Sequence, residues 1–198
     1  MAELTFIYGA MNCGKSTQLL QHAHNYEERD LKVVLMKPAI DTKKANLISS
    51  RLGIEREVDY LLGRDDSVTA ALADAIEKKG HIDAILVDEA QFLTATQVEE
   101  LHEISNGYGI EVKAYGLRSN FLTEAFEGSA RLLALANNMV ELTTKCRCGN
   151  DANLNMRLLD GVPIFVGDSI LIDDGKSKET YESVCGACYI RARIKYKK

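Results

Sequence analysis

Short apolar segments alternate with segments of helical period along the first two thirds of the chain. The apolar segments are "LTFIY" (4–8), "LKVVLM" (31–36), "DAILVD" (83–88) and "IEVKAYG" (110–116). Their hydrophobicity is nearly continuous rather than alternating, which is typical of parallel strands buried on both faces. Strands of this kind separated by helices predict βαβ units. We therefore expect an α/β fold, with a parallel sheet sandwiched by helices.

Three segments carry the periodicity and the end signals of helices. The helix "STQLLQHAHNYEER" follows the first strand, and one of its faces carries Leu19, Leu20, Ala23 and Tyr26. In "SVTAALADAIEKKG", Ser67 is the predicted N-cap and Gly80 the predicted stop. In "TATQVEELHEISNG", Thr94 and Gln97 form a predicted capping box, and Gly107 is the predicted stop. The last two segments are placed to act as crossover helices of the sheet.

The stretch "GAMNCGKST" joins the first strand to the first helix and satisfies the pattern G-x-x-x-x-G-K-S/T, from Gly9 to Ser16. Such loops bind nucleoside triphosphates because glycines let backbone N–H groups turn toward the phosphates, where a Cβ would obstruct. Lys15 would place its charge on the β- and γ-phosphates, and the Ser16 hydroxyl would bind Mg²⁺. A chance glycine turn is the alternative, but the order strand, loop, helix favours a phosphate loop.

Two adjacent carboxylates, Asp88 and Glu89, end the segment "DAILVD". Phosphate-loop proteins use a carboxylate at such a strand end to hold Mg²⁺. Adjacent strand residues point to opposite faces, so we expect the two carboxylates to have different tasks. We assign Asp88 to Mg²⁺ and Glu89 to accepting a proton from the attacking group. The alternative is that Glu89 only caps the following turn.

Four of the five cysteines form two pairs near the end of the chain, Cys146-x-Cys148 and Cys185-x-x-Cys188. Two pairs separated by a loop are typical of a four-thiolate structural zinc site, although the first pair is one residue shorter than usual. The alternative is four reduced thiols packed as small hydrophobic side chains. The fifth cysteine, Cys13, lies in the phosphate loop, at a position that we expect to tolerate any small side chain.

The character of the sequence changes near Thr143. Beyond this residue the elements are short, glycines and charges lie between them, and both cysteine pairs are found. We therefore predict an α/β domain at residues 1–142 and a small zinc-binding domain at residues 143–198. So small a domain has too little core to fold unaided, and bound zinc would stabilise its fold rather than catalyse.

The length, net charge and hydrophobicity of the chain bear on its binding partners and its location in the cell. The 198 residues suffice for one main domain and a small appendage, and the net charge of −5 argues against binding along a nucleic-acid backbone. The basic end "RARIKYKK" could contact nucleic acid, but we interpret it as a solvated helix end. With no leader peptide and no apolar run of membrane-spanning length, we expect a cytoplasmic protein that does not contact a membrane, with reduced thiols.

Together, "GAMNCGKST", "DEAQF", "YGLRSNF" and "YESVCGAC" resemble the type II (cytosolic) thymidine kinase family, in its bacterial form, over almost the whole chain. The resemblance implies a P-loop, RecA-like domain with a zinc-bound lid called the lasso. It implies that ATP phosphorylates the 5′-hydroxyl of deoxythymidine with the help of Mg²⁺, and that Glu89 is the catalytic base. It also implies a homotetramer and feedback inhibition by dTTP.

The resemblance further implies two sets of site residues. The ATP site would comprise Gly9, Ala10, Met11, Asn12, Cys13, Gly14, Lys15, Ser16, Thr17, Asp88 and Gln91. The thymidine pocket would comprise Met11, Phe92, Leu117, Phe121, Phe126, Ile170, Leu171, Ile172 and Tyr181. Backbone groups of the lasso at residues 169–172 would pair with the thymine edge.

Three positions depart from the pattern of the family. The lasso reads "IDDG" (172–175) where many members have glycines, and this departure bears on substrate choice. Asn120 stands where many bacterial members have Asp before the Phe of "GLRSNF". The loop after the second strand reads Asp41-Thr-Lys43 in place of D-x-R.

Two other functions share parts of these motifs. A P-loop ATPase acting on nucleic acid, helicase or recombinase-like, is suggested by "DEAQ", which resembles a helicase box. The chain has no room for the second similar domain that a helicase needs, and it is acidic. A nucleotide-binding zinc module without catalysis would leave Glu89 without a role.

Overall fold

The structure of the protein, a computed structural model, describes residues 2–39, 46–167 and 179–196. The predicted lasso residues Ile170, Leu171 and Ile172 lie outside the described residues, and so do Asp41 and Lys43. Within the described ranges, no helix combines the length and the apolar character that crossing a membrane requires.

A six-stranded sheet, in which every pair of neighbouring strands is parallel, forms the centre of the fold in the order β5-β2-β6-β7-β1-β8. Its strands are β1 (Leu4–Gly9), β2 (Val33–Pro38), β5 (Tyr60–Leu62), β6 (Ala84–Val87), β7 (Glu111–Gly116) and β8 (Asn138–Leu142). The four predicted strands are thus confirmed. The other two were not predicted, because β5 has three residues and β8 is largely exposed.

Within the described part of the chain, five helices and one 3-10 turn connect or follow these strands. They are α1 (Lys15–Glu27), α2 (Val68–Lys79), the turn Ala90–Phe92, α3 (Ala95–Tyr108), α4 (Glu127–Leu135) and α5 (Gly186–Tyr196). The caps at Ser67 and Gly80 and the capping box of Thr94 are confirmed. The predicted stop at Gly107 is wrong: the helix continues to Tyr108, and Gly109 ends it with a left-handed φ of 72°. Gly107 is tolerated inside the helix at a cost of about 1 kcal/mol.

Helices cover both faces of the sheet. Neighbouring residues of β2 illustrate the division, because Leu35 packs with α1 in one buried cluster and Met36 packs with α2 and α3 in another. Helix α1 contributes Leu19, Leu20 and Ala23, and Tyr26 packs against their cluster. The predicted α/β sandwich is therefore confirmed. Alternate strand residues are apolar on both sides because each side faces a helix layer.

The remaining strands form small antiparallel sheets. They are the hairpin of β3 (Leu47–Ser49) and β4 (Glu55–Glu57), the pair of β9 (Thr144–Lys145) and β10 (Asp151–Ala152), and a sheet of β11 (Leu154–Leu159), β12 (Val162–Ile164) and β13 (Glu179–Val184). A third buried cluster lies here and includes Cys146, Cys185 and Tyr189. Tyr189 donates to the Phe121 carbonyl at 2.7 Å, which ties this part to the loop after β7. The domain boundary at residue 143 stays a prediction.

Candidate active site and thiol cluster

The phosphate loop turns sharply between β1 and α1. A Cβ at Gly9 would come within 2.2 Å of the Leu142 carbonyl oxygen, so only glycine fits beside β8. Gly14 has a φ of 89°, and Asn12 a φ of 65°, in the left-handed region that most side chains avoid. Gly14 is the N-cap of α1 and brings no side chain to the helix end. The first N–H groups of α1 are therefore open to an anion.

A cavity of about 760 Å³ lies over this loop. Its lining includes the predicted loop residues Met11, Asn12, Cys13, Gly14, Lys15, Ser16 and Thr17. The same cavity is lined by Glu89 and Leu117, so one space joins the predicted ATP site to the predicted base. Gly9 and Ala10 precede these residues, and Ala10 is buried.

The hairpin of β3 and β4 also lines the cavity, through Ser49, Ser50, Arg51 and Leu52. Sequence analysis missed this contribution. The two strands have three residues each and no apolar periodicity, so nothing in the local sequence marks them.

Lys15 points back into the loop. Its Nζ donates to the Ala10 carbonyl at 2.8 Å and lies 3.5 Å from the Cys13 Sγ. These contacts hold the ammonium group beside the cavity with uncharged acceptors. A phosphate oxygen would be a stronger acceptor, because its negative charge also attracts the ammonium group.

Ser16 and Asp88 face each other across the loop. The Ser16 hydroxyl lies 3.5 Å from both carboxylate oxygens of Asp88, which is 4% exposed. Burial and the negative charge of Glu89 raise the pKa of Asp88 to about 7. A hydroxyl and a buried carboxylate at this spacing form an oxygen donor set of the kind Mg²⁺ prefers, and a cation would hold Asp88 ionised.

Glu89 is the N-cap of the 3-10 turn and has a left-handed φ of 50°. Such a conformation costs a non-glycine residue about 1–3 kcal/mol and is frequent at active sites. The argument from alternating strand faces is wrong here, because β6 already ends at Val87. The left-handed backbone, and not the pleat of a strand, separates the directions of Asp88 and Glu89.

The side chain of Glu89 makes no capping hydrogen bond to its turn. Its carboxylate instead accepts a hydrogen bond from the Gln91 Nε2 at 2.5 Å. Gln91, which is 1% exposed, also accepts from the Leu117 backbone N–H at 3.0 Å. Gln91 thus joins Glu89 to the end of β7, and its side chain does not contact the phosphate loop through any hydrogen bond among the described residues.

The four aromatic residues of the predicted thymidine pocket, which we call the aromatic wall, fall into two groups. Phe92 and Phe126 pack edge to face with their centroids 5.4 Å apart. Phe121 is buried beneath the guanidinium of Arg157, which lies 4.9 Å from its ring centroid. Tyr181 lies opposite Arg157 in the register of β11 and β13. Phe121 and Phe126 belong to the loop after β7, whose first residue, Leu117, lines the cavity; the four rings are not among the described residues that line it.

The departure at Asn120 has a local structural reason. Its Oδ1 accepts from the backbone N–H groups of Leu122 and Glu124, and its Nδ2 donates to the Glu124 carboxylate at 3.0 Å. An aspartate would keep the first two contacts but face the carboxylate of Glu124 with a like charge. The amide therefore suits this chain.

The four predicted thiols come together. The Sγ atoms of Cys146, Cys148, Cys185 and Cys188 all lie within 4.8 Å of one another, and those of Cys148 and Cys185 are 3.5 Å apart. Sulfur atoms around a tetrahedral zinc ion stand about 3.8 Å apart, given Zn–S bonds of about 2.3 Å. Because Cys148 is exposed, burial of small hydrophobic side chains does not explain this cluster.

Local geometry supports metal binding by these thiols. The short first pair lies in a tight turn, where Gly149 has a φ of 91° and its N–H donates to the Cys146 carbonyl. Hydrogen bonds from the backbone N–H groups of Cys148 and Cys188 lower the pKa of the Cys146 and Cys185 thiols, the latter to about 6, while hydrogen bonds with the other thiols raise the pKa of Cys188. The thiolate is the form that binds metal, so the donor set fits zinc.

The parallel sheet and the loop between β1 and α1 define a phosphate-loop α/β protein, with a predicted base in the same cavity and a four-thiol cluster near the C-terminus. Within this class, the chain belongs to the thymidine kinase family, because the model of that family, described as "Thymidine kinase", matches residues 2–189.

Named relatives agree with this membership. A thymidine kinase of Enterobacteria phage T4 is 43% identical over 187 residues, 93% of this chain and 94% of that protein. A thymidine kinase of Legionella pneumophila (strain Lens) is 41% identical over 193 residues, 96% of this chain and 90% of that protein. A solved structure of the replication initiator DnaA bound to AMPPCP and single-stranded DNA is 17% identical. The structural match covers 72% of this chain and 41% of the DnaA chain, with a TM-score of 0.43. This similarity is too low to support a conclusion about fold or function.

Proposed function

We propose that the protein transfers the γ-phosphate of ATP to the 5′-hydroxyl of deoxythymidine, giving dTMP. Family membership and the names of the relatives support a thymidine kinase. The observation that carries the proposal is the shared cavity, in which the phosphate loop and Glu89 line one space of about 760 Å³. A phosphoryl donor and its acceptor hydroxyl must meet in one such space.

The triphosphate would bind along the loop. Backbone N–H groups of the loop and of the first turn of α1 would donate hydrogen bonds to its oxygens. Lys15 would exchange the Ala10 carbonyl for the β- and γ-phosphates. Ser16 and Asp88 would hold Mg²⁺, which neutralises charge on the transferring phosphoryl group when bound.

Glu89 would accept the proton of the 5′-hydroxyl while the hydroxyl oxygen bonds to the γ-phosphorus and ADP leaves. Gln91 would keep the carboxylate oriented through its hydrogen bond to Oε2. The nucleoside itself would lie between the loop and the aromatic wall. Its proposed contacts are Met11, Phe92, Leu117, Phe121, Phe126 and Tyr181, together with the lasso residues.

The four clustered cysteines would bind one structural zinc ion. We also propose that residues 143–198 form the small domain that this ion stabilises. From the resemblance we carry over a homotetramer, inhibition by dTTP and a cytoplasmic location, and the net charge of −5 supports a protein without a nucleic-acid partner.

ATP turnover should depend on thymidine. We expect ADP formation with thymidine, much less with deoxycytidine, and none above background with single-stranded DNA or with ATP alone. Pairing by backbone groups would disfavour cytosine, because its amino group and bare ring nitrogen reverse donor and acceptor, at about 1–3 kcal/mol for each unsatisfied group. If single-stranded DNA stimulated ADP formation in the absence of thymidine, the protein would be a nucleic-acid-directed ATPase and not a thymidine kinase.

Replacing Lys15 with Ala should weaken ATP binding and turnover together. Its ammonium group meets the phosphates both before and during transfer, and loss of a charge-assisted contact lowers affinity by about 10- to 100-fold. Isothermal calorimetry with ATP measures this change. Lys78→Ala is the matched control, because Lys78 lies on the exposed surface of α2, where its ammonium group pairs with Asp74. Unchanged ATP affinity in Lys15→Ala would remove the phosphate loop from the site.

A further inference from the structure

Two side chains from a distant part of the chain, Asn155 and Ser183, hold the phosphate loop at Met11. Its backbone N–H donates to the Asn155 Oδ1 at 2.8 Å, and its carbonyl oxygen accepts from the Ser183 hydroxyl. We propose that Asn155 and Ser183 are positioning residues that hold the phosphate loop in the conformation that binds the triphosphate. The proposal rests on the proposed function, since it takes this loop to be the ATP site.

Asn155 and Ser183 form a cross-strand pair. They lie opposite each other in the antiparallel register of β11 and β13, so their side chains leave the same face of this small sheet. Both are buried, at 5% and 8% exposure. They engage two consecutive peptide groups, the one before Met11 and the one after it. The orientation of both peptide planes around the Met11 Cα is therefore set by the small sheet.

The hydrogen bonds to Met11 lie directly before the part of the loop that has left-handed backbone angles. Asn12 follows Met11 with a φ of 65°, and Gly14 follows with a φ of 89°. A left-handed angle is less favourable for asparagine than for glycine, so contacts to the neighbouring peptide groups help to maintain it. Without the two contacts, the loop is free to relax toward more favourable backbone angles, and ATP would have to reorder it on binding. A loop that must be ordered on binding has a lower affinity than a loop that is already ordered.

Asn155 also reaches a second segment of the site. Its Nδ2 is 3.5 Å from the Ser119 carbonyl oxygen, in the loop that follows β7. Only one orientation of the amide offers an acceptor to the Met11 N–H and a donor to the Ser119 carbonyl. Two residues before Ser119, Leu117 lines the cavity. The side chain of Asn155 therefore sets the distance between the phosphate loop and the loop after β7, both of which line the cavity.

The two residues that hold Met11 are connected to the thiol cluster through β13. Ser183 lies two residues before Cys185, and Val184 between them is buried in the third cluster. The part of the chain that we propose to bind zinc thereby supports the loop that we propose to bind ATP. The contacts of Asn155 and Ser183 thus give the small sheet of β11 and β13 a positioning role in the proposed ATP site.

The test compares Asn155→Ala and Ser183→Ala with the conservative Ser183→Thr, which keeps the hydroxyl. Glu182→Gln is the matched control, because Glu182 lies on the opposite face of β13 and pairs with Arg147. Hydrogen exchange of residues 9–14 in the ligand-free protein reports on the loop, calorimetry reports the Kd for ATP, and zinc content and the thermal unfolding midpoint report on the fold.

We expect both alanine variants to exchange faster at residues 9–14 and to bind ATP about tenfold more weakly, the effect of losing one buried hydrogen bond to the backbone. Ser183→Thr and Glu182→Gln should match the wild type in both measurements. Zinc content should be the same in all four variants. A loss of ATP affinity that the threonine variant restores, with zinc retained, distinguishes positioning of the loop from general damage to the small sheet.

The proposal would be overturned if both alanine variants showed the same hydrogen exchange at residues 9–14 and the same ATP affinity as the wild type. If Asn155→Ala does not fold, Ser183→Ala and Asn155→Asp decide the matter, since the latter keeps the acceptor for Met11 and loses the donor to Ser119. A wild-type protein that does not bind ATP would refute the proposed function, while hydrogen exchange would still decide whether Asn155 and Ser183 hold the loop.

Discussion

Replacing Glu89 with Gln is expected to lower turnover by about 10²–10⁴, the range for loss of a general base, with little change in ATP affinity. The amide keeps the shape of the side chain, and its oxygen can still accept the hydrogen bond from Gln91 that Glu89 accepts at 2.5 Å. The variant therefore removes the proton acceptor and preserves the local structure. Single-turnover formation of dTMP, together with calorimetry for ATP, measures the two effects separately.

Glu103→Gln is a suitable control for this experiment, since Glu103 is an exposed residue of α3. It should retain wild-type turnover. Near-normal turnover in Glu89→Gln would exclude Glu89 from the chemical step. Weakened ATP binding alongside lower turnover would instead mean that Glu89 supports the phosphate loop or the metal site.

Loss of the metal should have the largest effect on stability. Protein purified without added zinc is expected to contain about one equivalent per chain, and Cys185→Ser should lower this content, because structural zinc binding contributes on the order of 10 kcal/mol to folding. Cys185 is buried beside β13, so the sheet of β11, β12 and β13 should unfold with it. Elemental analysis gives the zinc content, and hydrogen exchange gives the protection of the three strands.

Cys13→Ser is the matched control for zinc content, since Cys13 lies in the phosphate loop, away from the thiol cluster. This variant should keep one equivalent of zinc. A metal-free protein with the same thermal unfolding midpoint and the same protection in β11 and β13 would contradict the zinc assignment.

Several features of the site were predictable from local sequence. The phosphate-loop pattern requires neighbouring residues only, and the positions of Gly9, Gly14 and Lys15 are those of a strand, a turn and a helix start. The capping box at Thr94 is local for the same reason. Pairing of the two cysteine motifs was also predictable, because four thiols in a small polar segment have few other uses.

Other features depend on contacts between distant segments. The direction of Glu89 follows from a left-handed backbone angle that strand periodicity does not encode, and Gln91 is held by Leu117, 26 positions away. The β3–β4 hairpin reaches the cavity without any periodic pattern of its own. Local rules also misplaced the end of α3, because two glycines, Gly107 and Gly109, fit its end equally well by sequence. The roles assigned to the site residues stay predictions.

By itself, the sequence determined four strands of the central sheet, the helices α1, α2 and α3, the place of the phosphate loop and the thiols that can share a metal, because each of these depends on residues close together or on donor chemistry. Only the tertiary structure decided that Asn155 and Ser183 hold Met11 and that Phe121 lies under Arg157. Those contacts join residues whose separation along the chain carries no pattern. They arise from the packing of the small sheet of β11 and β13 against the loops after β1 and β7, which no local rule specifies.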